Sequence, residues 1–500
     1  MQASLLLLSL IRIFDSKKSI ILNDMKKYAR MAAVLAVAAW AAVSCGKEKN
    51  SAAVNFDRPA LYLAYGQSET VNFSVHDVRV GTLSITSKPS GWDDIALDAA
   101  ARTVTVTAPS AGDTEAASSG TIVLSGTSDG GGSTASATLF VGIVESEDLS
   151  ARPANSFLLN KKETNYLFDT TTDGRSPLAT ARVGVIWQSA TNLVQYLDFD
   201  ASSGKASFYV GADSEGNVKE GNALIGAYDA HDKLLWSWHA WISDFDPDAE
   251  GGSVDFNGYT LMNRNLGACA NAGSDAAGIL ASFGLYYQWG RKEPFIGPSA
   301  YNAANGTSAA MYDGNGSRAY MKTAESDSET GTMAYALQNP LTYIVVAEKE
   351  ADWLQSGSGE RWAADAKTLY DPCPYGWRVA PAEAFADLSI RESLTDASDY
   401  TAKFGWTLGD AAGAESFFMA AGRRSWYDAS VQNYFDESLL SRAAEMQPWV
   451  GYYWTGGAAA TLSPAFCFWL KADEVAASGV WNARPMGRAN GMQVRCVKDE

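Results

Sequence analysis

From Pro59 to Val144 apolar and polar residues alternate with period two, in short runs. Leu61–Tyr65, Thr70–Val75, Thr103–Thr107, Gly120–Ser125 and Ala135–Val141 each place every second side chain on one face, the signature of half-buried strands. Tyr65-Gly66, Pro89-Ser-Gly91 and Asp129-Gly-Gly-Gly132 supply the turns between them. About seven strands in this space predict an immunoglobulin-like sandwich over 58–146, with Trp92 as a core aromatic. A second β-sandwich is predicted over 147–247, from Val183–Trp187, Ala206–Val210, Asn222–Tyr228 and Leu234–Ile242. In the last of these Trp236 and Trp238 share one face and Trp241 takes the other, which suits a central strand buried on both sides. From 248 to 500 the alternation thins and Gly, Asn and Trp become frequent. Helical periodicity is predicted over Ala276–Trp289 and Pro381–Leu388, and Asn302–Gly331 reads as a surface excursion. The fold class is therefore multidomain: two all-β immunoglobulin-like sandwiches followed by an α+β domain.

The N-terminal region has a different pattern. Lys26, Lys27 and Arg30 precede an apolar run, Met31–Val43, too short to span a bilayer comfortably. Ala42-Val43-Ser44 then precede Cys45. The segment resembles a bacterial lipoprotein signal, which implies cleavage before Cys45 and acylation of that residue. Several acyl chains make a stable anchor where one does not. We read 1–24 as a mis-assigned start, 25–44 as the signal peptide and 45–57 as a tether. The expected partner at this end is the membrane, and the expected location the outer membrane.

Composition narrows the remaining possibilities. The formal net charge of −18 argues against nucleic acid, whose phosphates require basic stripes. Only three histidines occur, His76, His231 and His239, so a His-dependent nucleophile cannot be built within 248–500. Zinc spacings, phosphate loops and dinucleotide fingerprints are absent from the sequence. Besides Cys45 there are Cys269, Cys373, Cys467 and Cys496; in an exported chain these are expected to form disulfides, with three possible pairings.

Five blocks follow one another in the last region: Leu261-Met-Asn-Arg-Asn-Leu-Gly-Ala268, Gly284-Leu-Tyr-Tyr-Gln-Trp-Gly-Arg-Lys-Glu-Pro-Phe295, Leu369-Tyr-Asp-Pro-Cys-Pro-Tyr-Gly-Trp-Arg-Val379, Gly451-Tyr-Tyr-Trp-Thr455 and Arg488-Ala-Asn-Gly-Met-Gln-Val-Arg-Cys-Val497. This ordered set resembles the Fibrobacter major-paralogue (FISUMP) domain of Bacteroidales-type surface lipoproteins and fimbria-associated proteins. The resemblance implies a C-type-lectin-like fold for 248–500. Cys373 and Cys496 stand in two of the blocks, and a bond between them is expected. A Cys269–Cys467 bond is expected as well, although neither residue stands in a block. The carboxylate and amide triplets with which C-type lectins hold calcium are missing, since Trp481-Asn482 is followed by Ala483. Metal-free binding without a cofactor is therefore expected. Formylglycine-generating enzymes share the lectin-like fold and use cysteines with copper, but the sequence around Cys269 and Cys467 is unlike theirs.

The expected function is that of a non-enzymatic surface adhesin whose C-terminal domain binds a glycan or a protein. The alternative is a fimbrial accessory or tip subunit that binds pilus subunits by strand addition. The candidate binding residues are Arg423, Arg424, Trp426, Tyr427 and Trp454, on the stretch between Ala421 and Trp454. Trp454 reads either as a core aromatic or as a stacking platform.

Overall fold

The computed structural model describes residues 51–301, 305–355, 361–392, 403–432, 448–457, 462–471 and 479–499. Cys45 and the signal-like segment lie outside the described residues, as do 433–447 of the expected binding stretch. The chain divides into two compact units. The smaller comprises Phe73–Ser84 and Leu124–Ala137 with the described residues up to Asn55. Within it Val78 bridges Ser128, and the Asp129 amide donates to the Asp77 carbonyl at 2.8 Å.

The larger unit holds the rest. Near its start Ser68–Asn72 pairs with Thr103–Thr107, which pairs in turn with Ile95–Asp98. Trp92 is fully buried and donates its indole N–H to the Ala117 carbonyl at 2.8 Å, as its place beside the Pro89-Ser-Gly91 turn predicts. The middle region is two sheets face to face. One runs Gln195–Asp200, Lys205–Val210, Thr164–Asp169, Glu145–Asp148. The other begins Ser156–Leu159, Leu234–Ile242, Gly221–Tyr228, Arg182–Gln188. The fold is thus dominated by β-sandwich architecture, as the alternation predicts.

The second sheet does not stop at residue 247. Its last two strands are Met311–Tyr312 and Arg318–Ala319, joined through Tyr312 opposite Gln188. Asn302–Gly331, read from its Gly and Asn content as a surface excursion, therefore includes an edge hairpin of the middle sandwich. The hairpin closes on Asp313, which accepts from the amides of Asn315 and Ser317. Asp213, Asp229 and Asp410 close three other hairpins by the same i+2 and i+4 bonds. Along Leu234–Ile242 the alternation holds. Trp236, Trp238, Ala240 and Ile242 pack among Phe157, Phe168 and Phe208 inside the sandwich. Trp241 points the other way, into a core shared with Leu266, Trp289 and Trp454.

The C-terminal region carries a large mixed sheet in which Gly491–Val494 lies between Arg423–Arg424 and Pro448–Trp454, followed outward by Leu462–Lys471 and Gly479–Gly487. A smaller sheet seats Cys496–Lys498 between Tyr259–Met262 and Trp377–Val379. The helical readings were too generous. The first helix is Ala276–Ser282, capped by the Asp275 side chain. It ends before Gly284, whose φ of +72° leaves the helical basin and whose missing Cβ would lie 2.7 Å from the Leu266 carbonyl. Ala382–Phe385 forms one 3-10 turn after Pro381 rather than a helix to Leu388. Among the described residues no helix is long and apolar enough to cross a membrane.

Candidate functional site

The five motif blocks converge on one interior. Asn265 of the first accepts from Arg495 of the last at 3.0 Å. Gln288 of the second donates to the carbonyls of Ile344 and Ala489. The guanidiniums of Arg361 and Arg488 both approach the Trp289 ring, their centres 4.8 and 4.7 Å from its centroid. Both arginines also bond Asp352. In the third block the buried Asp371 carboxylate accepts from the amides of Cys373 and Val379, each at 2.8 Å, and so fixes the turn between them. Cys373 is disulfide-bonded to Cys496, which ties this turn to the Cys496–Lys498 strand. These blocks specify packing.

The same holds for most of the expected binding residues. Trp454 is fully buried, and its indole N–H donates to the Tyr287 carbonyl at 2.8 Å. Arg424 is 1% exposed and donates to the carbonyls of Ile296 and Ala429 and to the Ser308 hydroxyl. Burial pulls its pKa down to about 10. Arg423 is buried too, with Asn490 Oδ1 at 2.7 Å. Arg423, Arg424 and Trp454 are therefore core residues and not a ligand surface. Arginines can be buried here because carbonyls and amides take up their donors. Trp426 is half-buried against Ala336, Ile344 and Trp353, while Tyr427 is 65% exposed beside it. Of the five, only Tyr427 presents most of its surface to solvent. Cys269 and Cys467 are unpaired, contrary to expectation. Cys269 lies near the Ile242 carbonyl and Cys467 sits mid-strand in the large sheet; burial pushes both thiols up to about 12.

A different site emerges where the middle sandwich meets the C-terminal region. The Asn155 side-chain amide donates to the carbonyls of Leu369 and Asp371 and accepts from the Trp236 indole. The Ser156 hydroxyl reaches the Pro372 carbonyl and His239 Nδ1. His239 Nε2 faces Asn222 Oδ1 at 2.9 Å, and the Asn222 amide donates to the Gly267 carbonyl. Lys292, 2% exposed, donates to the Ser237 carbonyl and hydroxyl and lies 4.2 Å from the Trp236 ring centre. His239 is fully buried, and desolvation lowers its pKa to about 3, so the ring is neutral. This polar seam joins the two regions through buried hydrogen bonds.

Two clefts open along the seam and share Leu149 and Phe157 as a common wall. One, about 260 Å³, is lined by Trp238, Asp169, Asp173, Arg175, Lys367 and Thr368 among others. The second, about 340 Å³, has Phe157, Met262, Pro374 and Trp377 in its walls and Glu147, Arg152, Asp246 and Asp248 on its rim. Tyr375, 54% exposed, stands at its mouth. It occupies the tip of a tight turn in which the Trp377 amide donates to the Pro374 carbonyl and Gly376 takes φ +77°. Glu147 is bonded to Arg152 and lies 3.4 Å from Lys161; although burial raises its pKa, these cations hold the carboxyl below its usual value. Asp248 is paired with Lys498 at 3.0 Å. Tyr375 was missed in the sequence because Cys373-Pro-Tyr-Gly-Trp377 reads as a turn followed by a plug. The Pro-Tyr-Gly order, which puts Tyr at a turn tip, was the available signal.

No family model matches the chain, and no curated protein matches it. Solved structures that match include the I-band fragment I67–I69 of titin, at 17% identity over 38% of this chain with a TM-score of 0.12. The chain spans 64% of that fragment's length. The D00–D0 domain of intimin matches at 13% identity, over 38% of this chain and 98% of that one, with a TM-score of 0.14. An endo-fucoidan hydrolase of glycoside hydrolase family 107, MfFcnA9, matches at 12% identity, over 37% of this chain and 32% of that one, with a TM-score of 0.15. Overlaps this small leave the fold description to stand on the sheets themselves.

Proposed function

We propose that the chain is a non-enzymatic cell-envelope lipoprotein, anchored through Cys45 in the outer membrane, whose C-type-lectin-like C-terminal domain binds a glycan or a surface protein. The observation that carries this reading is the seam. Asn155, Ser156, Asn222 and His239 join the middle sandwich to the C-terminal region, and clefts open along the joint with aromatic and charged linings. Ligand sites favour such junctions between modules. The resemblance of the five blocks to the FISUMP domain supports the same class of function.

The fimbrial alternative, strand addition by a pilus subunit, is weakened by one feature. Among the described residues Gly479–Gly487 ends the large sheet, and its Pro485 lies opposite Pro464. Two prolines can face each other only as a pair that exchanges no N–H bonds, so the Pro485 nitrogen points to the open edge. An edge position without a donor resists a further strand.

Two measurements test the proposal. Cys45→Ala should move the protein from the membrane fraction to the soluble one; a mutant that stays membrane-bound and uncleaved refutes the anchor. Binding of the purified full chain to a glycan array, or recovery of a surface protein by cross-linking on cells, supports the binding role. Recovery of pilus subunits alone favours the fimbrial alternative.

A further inference from the structure

We infer that the groove beneath Tyr375 is a saccharide-binding subsite for a neutral oligosaccharide, formed jointly by the middle sandwich and the Pro374–Trp377 turn. The inference rests on the binding role proposed above and assigns that role a place and a chemistry. Phe157 and Trp377 supply apolar wall, and Tyr375 offers an exposed ring at the mouth. Such a surface suits the C–H face of a pyranose. Glu147, Asp246 and Asp248 rim the same groove and present oxygen acceptors to hydroxyl donors.

The electrostatics select against an anionic ligand. Glu147 is compensated by Arg152 and Lys161, and Asp248 by Lys498. Asp246 accepts from the Asp248 amide at 3.0 Å. The lining holds three carboxylates, Glu147, Asp246 and Asp248, and one guanidinium, Arg152, so the rim offers acceptors together with a charged donor. A ligand rich in hydroxyls and without net charge matches both. The neighbouring cleft, which shares Leu149 and Phe157 with this one and has Trp238 in its lining, extends the surface beyond one sugar unit. The two volumes, about 340 and 260 Å³, are near the lower end of the range for ligand pockets and suit successive units of a chain.

The test uses the full chain on an array printed with neutral hexasaccharides of glucose, mannose and galactose, followed by calorimetric titration of those that bind. At least one hexasaccharide should bind, and Tyr375→Ala should weaken it roughly tenfold or more, as expected for an aromatic anchor. Asp246→Asn should weaken it less, and both variants should keep the wild-type melting temperature. Tyr427→Ala, on the exposed loop elsewhere, should bind as wild type. If binding is lost in Tyr427→Ala and kept in Tyr375→Ala, the groove is not the site, although the broader binding role survives. If only anionic glycans or peptides bind, and they depend on Tyr375, the ligand class is wrong and the site stands. If no glycan binds and cell-surface cross-linking recovers no partner, both the inference and the binding role fall.

Discussion

Two aromatic-rich stretches of the C-terminal region have opposite fates. Arg423–Trp454 contains two adjacent arginines and three candidate aromatics, and from composition it reads as a contact surface. In the fold Arg423, Arg424 and Trp454 are in the interior, each with a polar group bonded to a named partner. Cys373–Trp377 reads as a structural plug, yet it lifts Tyr375 into solvent above a groove. Aromatic and arginine content therefore does not separate core from contact. The nearby backbone does. Carbonyls of Ile296 and Ala429 and the Asn490 side chain accept from the two arginines, whereas a glycine turn holds Tyr375 54% exposed.

The contrast can be broken most forcibly at the anchor of the turn. Replacing Cys373 and Cys496 together by Ser opens a link between residues 123 apart, worth about 4–5 kcal/mol in the chain-entropy view. Urea unfolding should report that loss. A loss below about 1 kcal/mol, well under the usual range for a native disulfide, would mean that the hydrogen bonds of Asp371 and Lys367 hold the turn without it.

Trp454→Ala should cost about 3–5 kcal/mol, the range for a large aromatic removed from a core. A variant with wild-type unfolding would return Trp454 to the surface and erase the difference between the two stretches.

Acid tests the seam behind the turn. His239 titrates near 3 in the folded chain, and a free histidine near 6.5. The unfolded chain therefore takes up the proton first as pH falls. The contribution is complete above about pH 6.5 and is lost progressively toward pH 3, in total a few kcal/mol. The melting temperature of the wild type should fall more steeply across this window than that of His239→Gln. Parallel slopes would show that the imidazole is not desolvated.

The smallest effect is expected at the exposed rings. Tyr375→Ala and Tyr427→Ala should each change stability by no more than about 0.5 kcal/mol, as surface substitutions do. A melting temperature that drops markedly in Tyr375→Ala would make that ring a packing residue like Trp454.

The strands of the two sandwiches were legible because their faces differ. Thr103–Thr107 and Leu234–Ile242 match their predicted bounds, since period-two alternation is imposed wherever a sheet has one dry face or two distinct ones. The buried Cys373–Cys496 pair was legible only through the ordered blocks in which both residues stand. Other features are set by distant contacts and leave no local periodicity. The Met311–Arg318 hairpin looks polar because its Asp, Gly and Asn residues serve the turn, and its two-residue strands are too short to alternate. The role of His239 depends on Asn222 of the neighbouring hairpin strand and on Ser156, which is far from it in the chain. The groove was illegible for the same reason, because its rim is gathered from Glu147, Asp246 and Tyr375.

The position of Gly491–Val494 between Arg423–Arg424 and Pro448–Trp454 has a consequence for biosynthesis. The large sheet lacks an interior strand, and Cys373 lacks its partner, until residues 491–498 have left the ribosome. No earlier length of chain can complete the C-terminal domain. This wiring delays closure of the domain until that stretch is made. The Cys373–Cys496 bond can form only after that point, and the proposed export would supply the oxidising surroundings it needs.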